Sequence, residues 1–216
     1  MQKRQKKLKT SKMVGVMHSI AELGVELTSE EKDLFSIGYD RLMNAKLLKW
    51  RGLAKDHAAN GDSSVIAEEM RQLAQKFIHL IDASFLKAEL EAEQKALFLK
   101  LKADCLGYLA EIETGDDYKD ATGRSISAYK DAYEVAWTLL STTSPLRLTI
   151  ALNLSTFYYE VAKLPEQACH IGKEAFDLAI GDKEQISEDE RAETMLVMQL
   201  IRDNLVRWTS EPDDEG

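Results

Sequence analysis

The chain of 216 residues contains only three prolines, Pro145, Pro165 and Pro212, and two cysteines, Cys105 and Cys169, which form no CxxC pair. So few cysteines exclude a disulfide scaffold and a cysteine-rich zinc site, and they fit free thiols in a reducing compartment. No stretch approaches the ~18–20 apolar residues of a membrane span. The cations at the start are followed by no apolar run of the secretory type. The phosphate-cradling GxxxxGK[ST], the dinucleotide-binding GxGxxG and the metal-binding HExxH are all missing. His18, His57, His79 and His170 stand at no ligand spacing, and adjacent Cys169 and His170 diverge by about 100° on a helix. Asp116, Asp117 and Asp120 cluster in "GDDYKD" without the later bidentate Glu and fixed Gly of a calcium loop. With no nucleophile, base or metal constellation, neither an enzyme nor a cofactor is expected.

What is present is apolar and charged in the proportions of a folded domain, 44% and 30%, with a net charge of −9. The charge is unevenly placed. Residues 1–12 carry Lys3, Arg4, Lys6, Lys7, Lys9 and Lys12 and no acid, leaving 22 basic against 37 acidic side chains, a net of −15, in the remainder. An acidic body argues against nucleic acid as the partner. The basic leader, residues 1–10, reads as a solvated tail, with a nuclear signal or membrane-surface tether as its alternatives. A cytoplasmic protein is expected, with nuclear access left open.

Long runs free of Gly and Pro and rich in Ala, Leu, Glu and Lys predict an all-α protein. A first helix is expected over 11–23 with Met13, Val16, Met17 and Ile20 on its apolar stripe. Thr28 and Glu31 form a capping-box pattern opening a helix to about Ala58. "AANGDSS" (58–64) reads as a turn with Ser63 or Ser64 as the next N-cap, and helices follow over 65–86 and about 89–113. "TGDDYKDATG" (114–123) reads as a loop before a helix from about Ser125 to Leu140. Pro145 and Pro165 each suit a helix's first turn. Ser187 with Glu190 caps a last helix to about Trp208, and 209–216 is an acidic tail. That makes eight helices joined by short links, which favour antiparallel neighbours. No 34-residue repeat is evident.

One pattern asks for a function. Asn153 and Glu160 lie seven residues apart in the otherwise apolar "TIALNLSTFYYEVAK", hence on one helix face. They either bridge neighbouring helices or line a site. Leu196, Leu200, Asn204 and Trp208 recur every four residues and form a second stripe. Asn donates and accepts at once, which suits clamping an extended backbone.

The segment "SPLRLTIALNLSTFYYE" (144–160) closely resembles a signature of the 14-3-3 family. So do "LVMQLIRDNLVRWTS" (196–210), "YLAEIETGDD" (108–117) and "ELTSEEKDLFSIGYDRL" (26–42), and the similarity runs without obvious gaps from Glu69 to Ser210. The resemblance implies an antiparallel helical cup of eight to nine helices over 11–208 with an amphipathic groove. It also implies binding of extended, phosphorylated peptide segments. Asn153 and Asn204 would hold the ligand backbone beside Glu160 and Trp208, while Leu152, Leu196 and Leu200 match the apolar wall.

The family's phosphate pocket is a lysine, two arginines and a tyrosine. Their matching positions here are Asp40, Leu47, Gly107 and Tyr108, so that only the tyrosine is kept. Three missing cations imply a peptide-binding adaptor whose usual phosphate pocket is lost, open to unphosphorylated or basic segments. One alternative keeps phosphopeptide binding through Lys46, Lys100 and Tyr108; a second is a helical scaffold that binds nothing. The leader offers Leu8 alone among its cations for dimer contact, and the link between Trp50 and Glu69 is short. A weak or altered dimer, or a monomer, is therefore expected.

Overall fold

The computed structural model describes Gly15, Ser19 and residues 28–55, 60–86 and 90–210. Gly15 and Ser19 are helical, and the Ser19 hydroxyl donates to the Gly15 carbonyl at 3.1 Å. The rest of the expected 11–23 helix, the basic leader and residues 211–216 of the acidic tail lie outside the described residues.

Seven α-helices follow among the described residues, with no strand: α1 Ser29–Ala54, α2 Asn60–Leu80, α3 Ala92–Ile112, α4 Gly115–Leu139, α5 Pro145–Glu160, α6 Pro165–Gly181 and α7 Arg191–Ser210. This is the all-α architecture expected from composition. None of these helices is long and apolar enough to cross a membrane.

Local chemistry sets the helix starts. The Thr28 amide donates to Glu31 Oε2 at 2.9 Å while the Glu31 amide donates to Thr28 Oγ1 at 3.3 Å, closing the capping box of α1. Pro145 and Pro165 open α5 and α6, where a missing N–H costs nothing. The Glu190 amide donates to Ser187 Oγ at 3.3 Å just ahead of α7.

Three boundaries differ from expectation. The stretch 114–123 is not a loop: α4 begins at Gly115 and runs through it. Asp116 and Asp117 sit in its first turn, where the helix dipole favours acids. Lys119–Asp116 and Arg124–Asp120 pair along its surface, and Ala121 is buried. The helix α2 begins at Asn60, inside the expected turn, so Ser63 and Ser64 are helical rather than capping. A π-helical turn, Ile81–Phe85, follows it directly. The helix α1 stops at Ala54 rather than near Ala58.

Each helix packs on its neighbour in sequence, and α1, α3, α5 and α7 also touch one another in series. The alternate helices thus form one continuous surface. An aromatic cluster lies beneath α1–α3: Tyr39 stacks on Phe77 with centroids 3.5 Å apart, and Phe35, Phe85 and Phe98 complete it. A second core of Leu148, Val197, Met198 and Ile201 joins α5 to α7.

Candidate peptide-binding groove

The surface made by α1, α3, α5 and α7 is indented by a hollow of about 350 Å³. Arg51 of α1 lines it, with Asp104, Gly107, Tyr108 and Glu111 of α3, Leu152, Asn153 and Glu160 of α5, and Leu200 and Asn204 of α7. The helical period explains the convergence. Asp104, Tyr108 and Glu111 follow one another at four and three residues along α3, and Asn153 and Glu160 at seven along α5.

The floor is a buried polar network centred on Asp104. Lys100 Nζ donates to Asp104 Oδ2 at 2.6 Å. Asp104 Oδ1 accepts from the Tyr129 hydroxyl at 2.5 Å and from Asn153 Nδ2 at 3.0 Å. Lys100 is only 9% exposed. Burial alone pulls its ammonium pKa down, but the charge and hydrogen bond of Asp104, with Asp40 behind, outweigh this, and the net direction is up. Burial, then the Asp104 charge, pushes the Tyr129 phenol well up, so it stays protonated and serves as a donor.

Asn204 Nδ2 donates to Thr156 Oγ1 at 3.2 Å. Arg207 Nη2 reaches Glu160 Oε1 at 3.2 Å and Asn204 Oδ1 at 3.4 Å. On the other side, Arg51 Nε donates to Glu111 Oε2 at 2.9 Å. Leu200, 44% exposed, supplies apolar surface beside Leu152.

Two expected wall residues stand elsewhere. Leu196 is 59% exposed, one turn before Leu200, and does not line the hollow. Trp208 is 6% exposed and stacks on Tyr159 at 4.8 Å, so it belongs to the core. Its four-residue spacing from Asn204 is compatible with either surroundings.

The positions matching the phosphate pocket of the resemblance are filled in three ways. Leu47 is 3% exposed and part of the main core. Gly107 is buried so closely against Phe157 that a Cβ there would meet the ring at 3.3 Å. Asp40 is partly buried, and one oxygen accepts from the Tyr108 hydroxyl at 3.3 Å. Burial, and next the Asp104 charge, raises the Asp40 carboxyl above its ordinary 3.8, against the pull of Lys100, Tyr108 and Arg41. Lys46 turns away to Glu69 at 2.5 Å.

Asp40 and Lys100 line a second hollow of about 530 Å³ with Ile37, Arg41, Leu97 and Leu101. The Tyr108–Asp40 and Asp104–Lys100 contacts tie the two hollows together. Sequence reasoning missed Arg51, Asp104 and Tyr129. Arg51 stands eleven residues after Asp40, three turns on the same face, and Asp104 lies four from both Lys100 and Tyr108. Those spacings were the available signal.

Comparison with known proteins gives a family model, 14-3-3 protein, matching residues 3–209. The chain is 38% identical to 14-3-3-like protein C of Glycine max over 217 aligned positions, covering 94% of this chain and 84% of that protein. It is 37% identical to 14-3-3 protein 7 of Solanum lycopersicum, covering 94% and 86%. It is 35% identical to 14-3-3-like protein 2 of Caenorhabditis elegans, covering 92% and 85%. Helical architecture, motifs and similarity over most of the chain agree, and the chain belongs to the 14-3-3 family of adaptor proteins that bind partner proteins.

Proposed function

We propose that this protein is an adaptor that holds an extended segment of a partner protein in its groove without depending on a phosphate. The observation that carries the reading is that four cations in and around the groove are already engaged. Lys100 lies on Asp104, Arg51 on Glu111, Arg207 on Glu160 and Lys46 on Glu69, while Asp40 adds a carboxylate. A phosphate carries up to about two negative charges and calls for charge-assisted donors, each worth roughly 1.5–3 kcal/mol. Three missing cations amount to a loss on the order of 5 kcal/mol, some thousands-fold in affinity. Recruiting Lys100 instead would strip Asp104 of its counter-ion inside the protein.

The remaining groups suit a peptide backbone. Asn153 and Asn204 each use one amide N–H inside the protein and keep a second N–H and carbonyl lone pairs for unpaired C=O and N–H groups, and Leu152 and Leu200 offer apolar surface. The composition of the leader further supports a weak or altered dimer, or a monomer, since Leu8 among its cations cannot bury a stripe.

Fluorescence anisotropy on a groove-binding peptide, phosphorylated and unphosphorylated, tests the reading. The two forms are expected to bind within a few-fold of each other. Both should weaken in Asn153→Ala and Asn204→Ala. A phosphopeptide preference of about a hundredfold or more overturns it, and loss of that preference in Lys46→Ala or Lys100→Ala would then identify substitute cations.

A further inference from the structure

The groove's carboxylates are not equivalent. Asp104, Glu111 and Glu160 each hold a cation of the protein's own: Lys100, Arg51 and Arg207. Asp40 makes no ion pair among the described residues. Its Oδ1 takes only a long hydrogen bond, 3.3 Å, from the Tyr108 hydroxyl. Of the two cations that share its hollow, Lys100 is committed to Asp104 and Arg41 is exposed.

The surroundings of Asp40 are apolar on one side. Ile37, 49% exposed, stands with Leu97 and Leu101 around a hollow of about 530 Å³. That leaves room for a long side chain with an aliphatic stem and a charged head: the stem packs on the leucines and isoleucine, and the head meets the carboxylate. A glutamate or phosphoserine side chain would meet Asp40 with like charge. A norleucine would pack on the apolar side and leave the carboxylate further desolvated with no new charge to meet it. The acidic body, −15 outside the first twelve residues, adds a field that draws basic segments in.

We propose that the hollow lined by Ile37, Asp40, Leu97 and Leu101 is a specificity subsite for a lysine or arginine of the bound segment, with Asp40 as its counter-ion. The proposal rests on the peptide-binding reading of the groove. The position that in the resemblance implies an anion-binding lysine thus becomes a cation-selecting one, and the partner class is an unphosphorylated basic segment.

The test uses the full chain and fluorescein-labelled nonapeptide libraries, degenerate at eight positions and fixed at one as Lys, Arg, norleucine, Glu or phosphoserine. Native protein is expected to favour Lys and Arg over norleucine by about tenfold at one position, as for a partly desolvated ion pair. Asp40→Asn, close in shape and still able to accept from Tyr108, should lower that preference to within about twofold. Asp40→Lys should shift it towards Glu and phosphoserine. Helical content by circular dichroism verifies that both variants fold. If the libraries bind and depend on Asn153 and Asn204 but show no basic preference, or keep it in Asp40→Asn, the subsite is overturned and the groove reading stands. If no library binds in a way that depends on Asn153 or Asn204, the groove reading itself falls and the subsite with it.

Discussion

The side-chain amide of Asn153 donates to the carboxylate of Asp104 across 49 residues of chain, at 3.0 Å, tying α5 to α3 on the floor of the groove. This contact fixes the amide's orientation: its nitrogen faces Asp104, and the carbonyl oxygen is turned away from it. The placement of the amide therefore depends on a buried ion pair one step behind it.

The first prediction concerns that pair. Asp104→Ala removes the acceptor of Lys100, Tyr129 and Asn153 together and leaves a buried ammonium without its hydrogen-bonded counter-ion, with only the charge of Asp40 behind it. Stability should fall by about 3–5 kcal/mol. Asn153→Ala breaks one bond and should cost about 1 kcal/mol. Urea denaturation measures both, and an Asp104→Ala loss no larger than that of Asn153→Ala contradicts the network as described.

A second prediction follows from Asp40. Its carboxyl is raised above 3.8 chiefly by burial and then by Asp104, with Lys100, Tyr108 and Arg41 opposing. The folded state therefore binds this proton more tightly than the unfolded chain. Below 3.8 both states are protonated and there is no penalty. As pH rises through the raised value, the ionised, partly buried group costs stability. Asp40→Asn removes the cost, so the variant should have the higher Tm at pH 7, with the difference vanishing towards pH 3.8. Thermal melts of both proteins across that interval decide it; a lower Tm for Asp40→Asn at pH 7 contradicts the stated sign.

Gly107 supplies a third. Glycine inside a helix costs up to about 1 kcal/mol relative to alanine, so Gly107→Ala gains that much from the backbone. Against this, the new Cβ would stand 3.3 Å from the buried Phe157 ring, which packs on Tyr129. Crowding of that kind costs about 1–3 kcal/mol. Net destabilisation of about 1 kcal/mol is expected. Phe157→Leu, in relieving the contact, should turn Gly107→Ala neutral or stabilising, and a double-mutant cycle measures the coupling.

The α1 cap gives a fourth, remote from the groove. Thr28→Ala deletes the hydroxyl that accepts from the Glu31 amide and should cost about 1 kcal/mol. Because the site is distant in function, peptide affinity should be unchanged when the variant is assayed folded.

What could be read in advance divides along physical lines. The Thr28–Glu31 and Ser187–Glu190 patterns and the prolines at 145 and 165 act within one turn, so a linear string contains them. The 114–123 stretch misled because its Gly, Asp and Thr residues are poor helix formers. Its helicity comes from i,i+3 and i,i+4 pairs and from the packing of α4 on α3. Lys100 and Asp104 have the spacing of an ordinary solvated helix pair; only the cover supplied by α4 and α5 turns it into a core network. Trp208 shows the same limit from the other side. Periodicity places it on a face of α7, but the stacking ring of Tyr159 decides that it is buried.

The contact between Gly107 and Phe157 also bears on what position 107 can hold. With the ring seated where a side chain at position 107 would leave the helix, a larger residue there would arrive in a space already taken. Enlarging position 107 therefore requires the Phe157 ring to move first, and that ring is itself packed on Tyr129. The residue allowed at one point of α3 is set by a side chain of α5, fifty residues further along the chain.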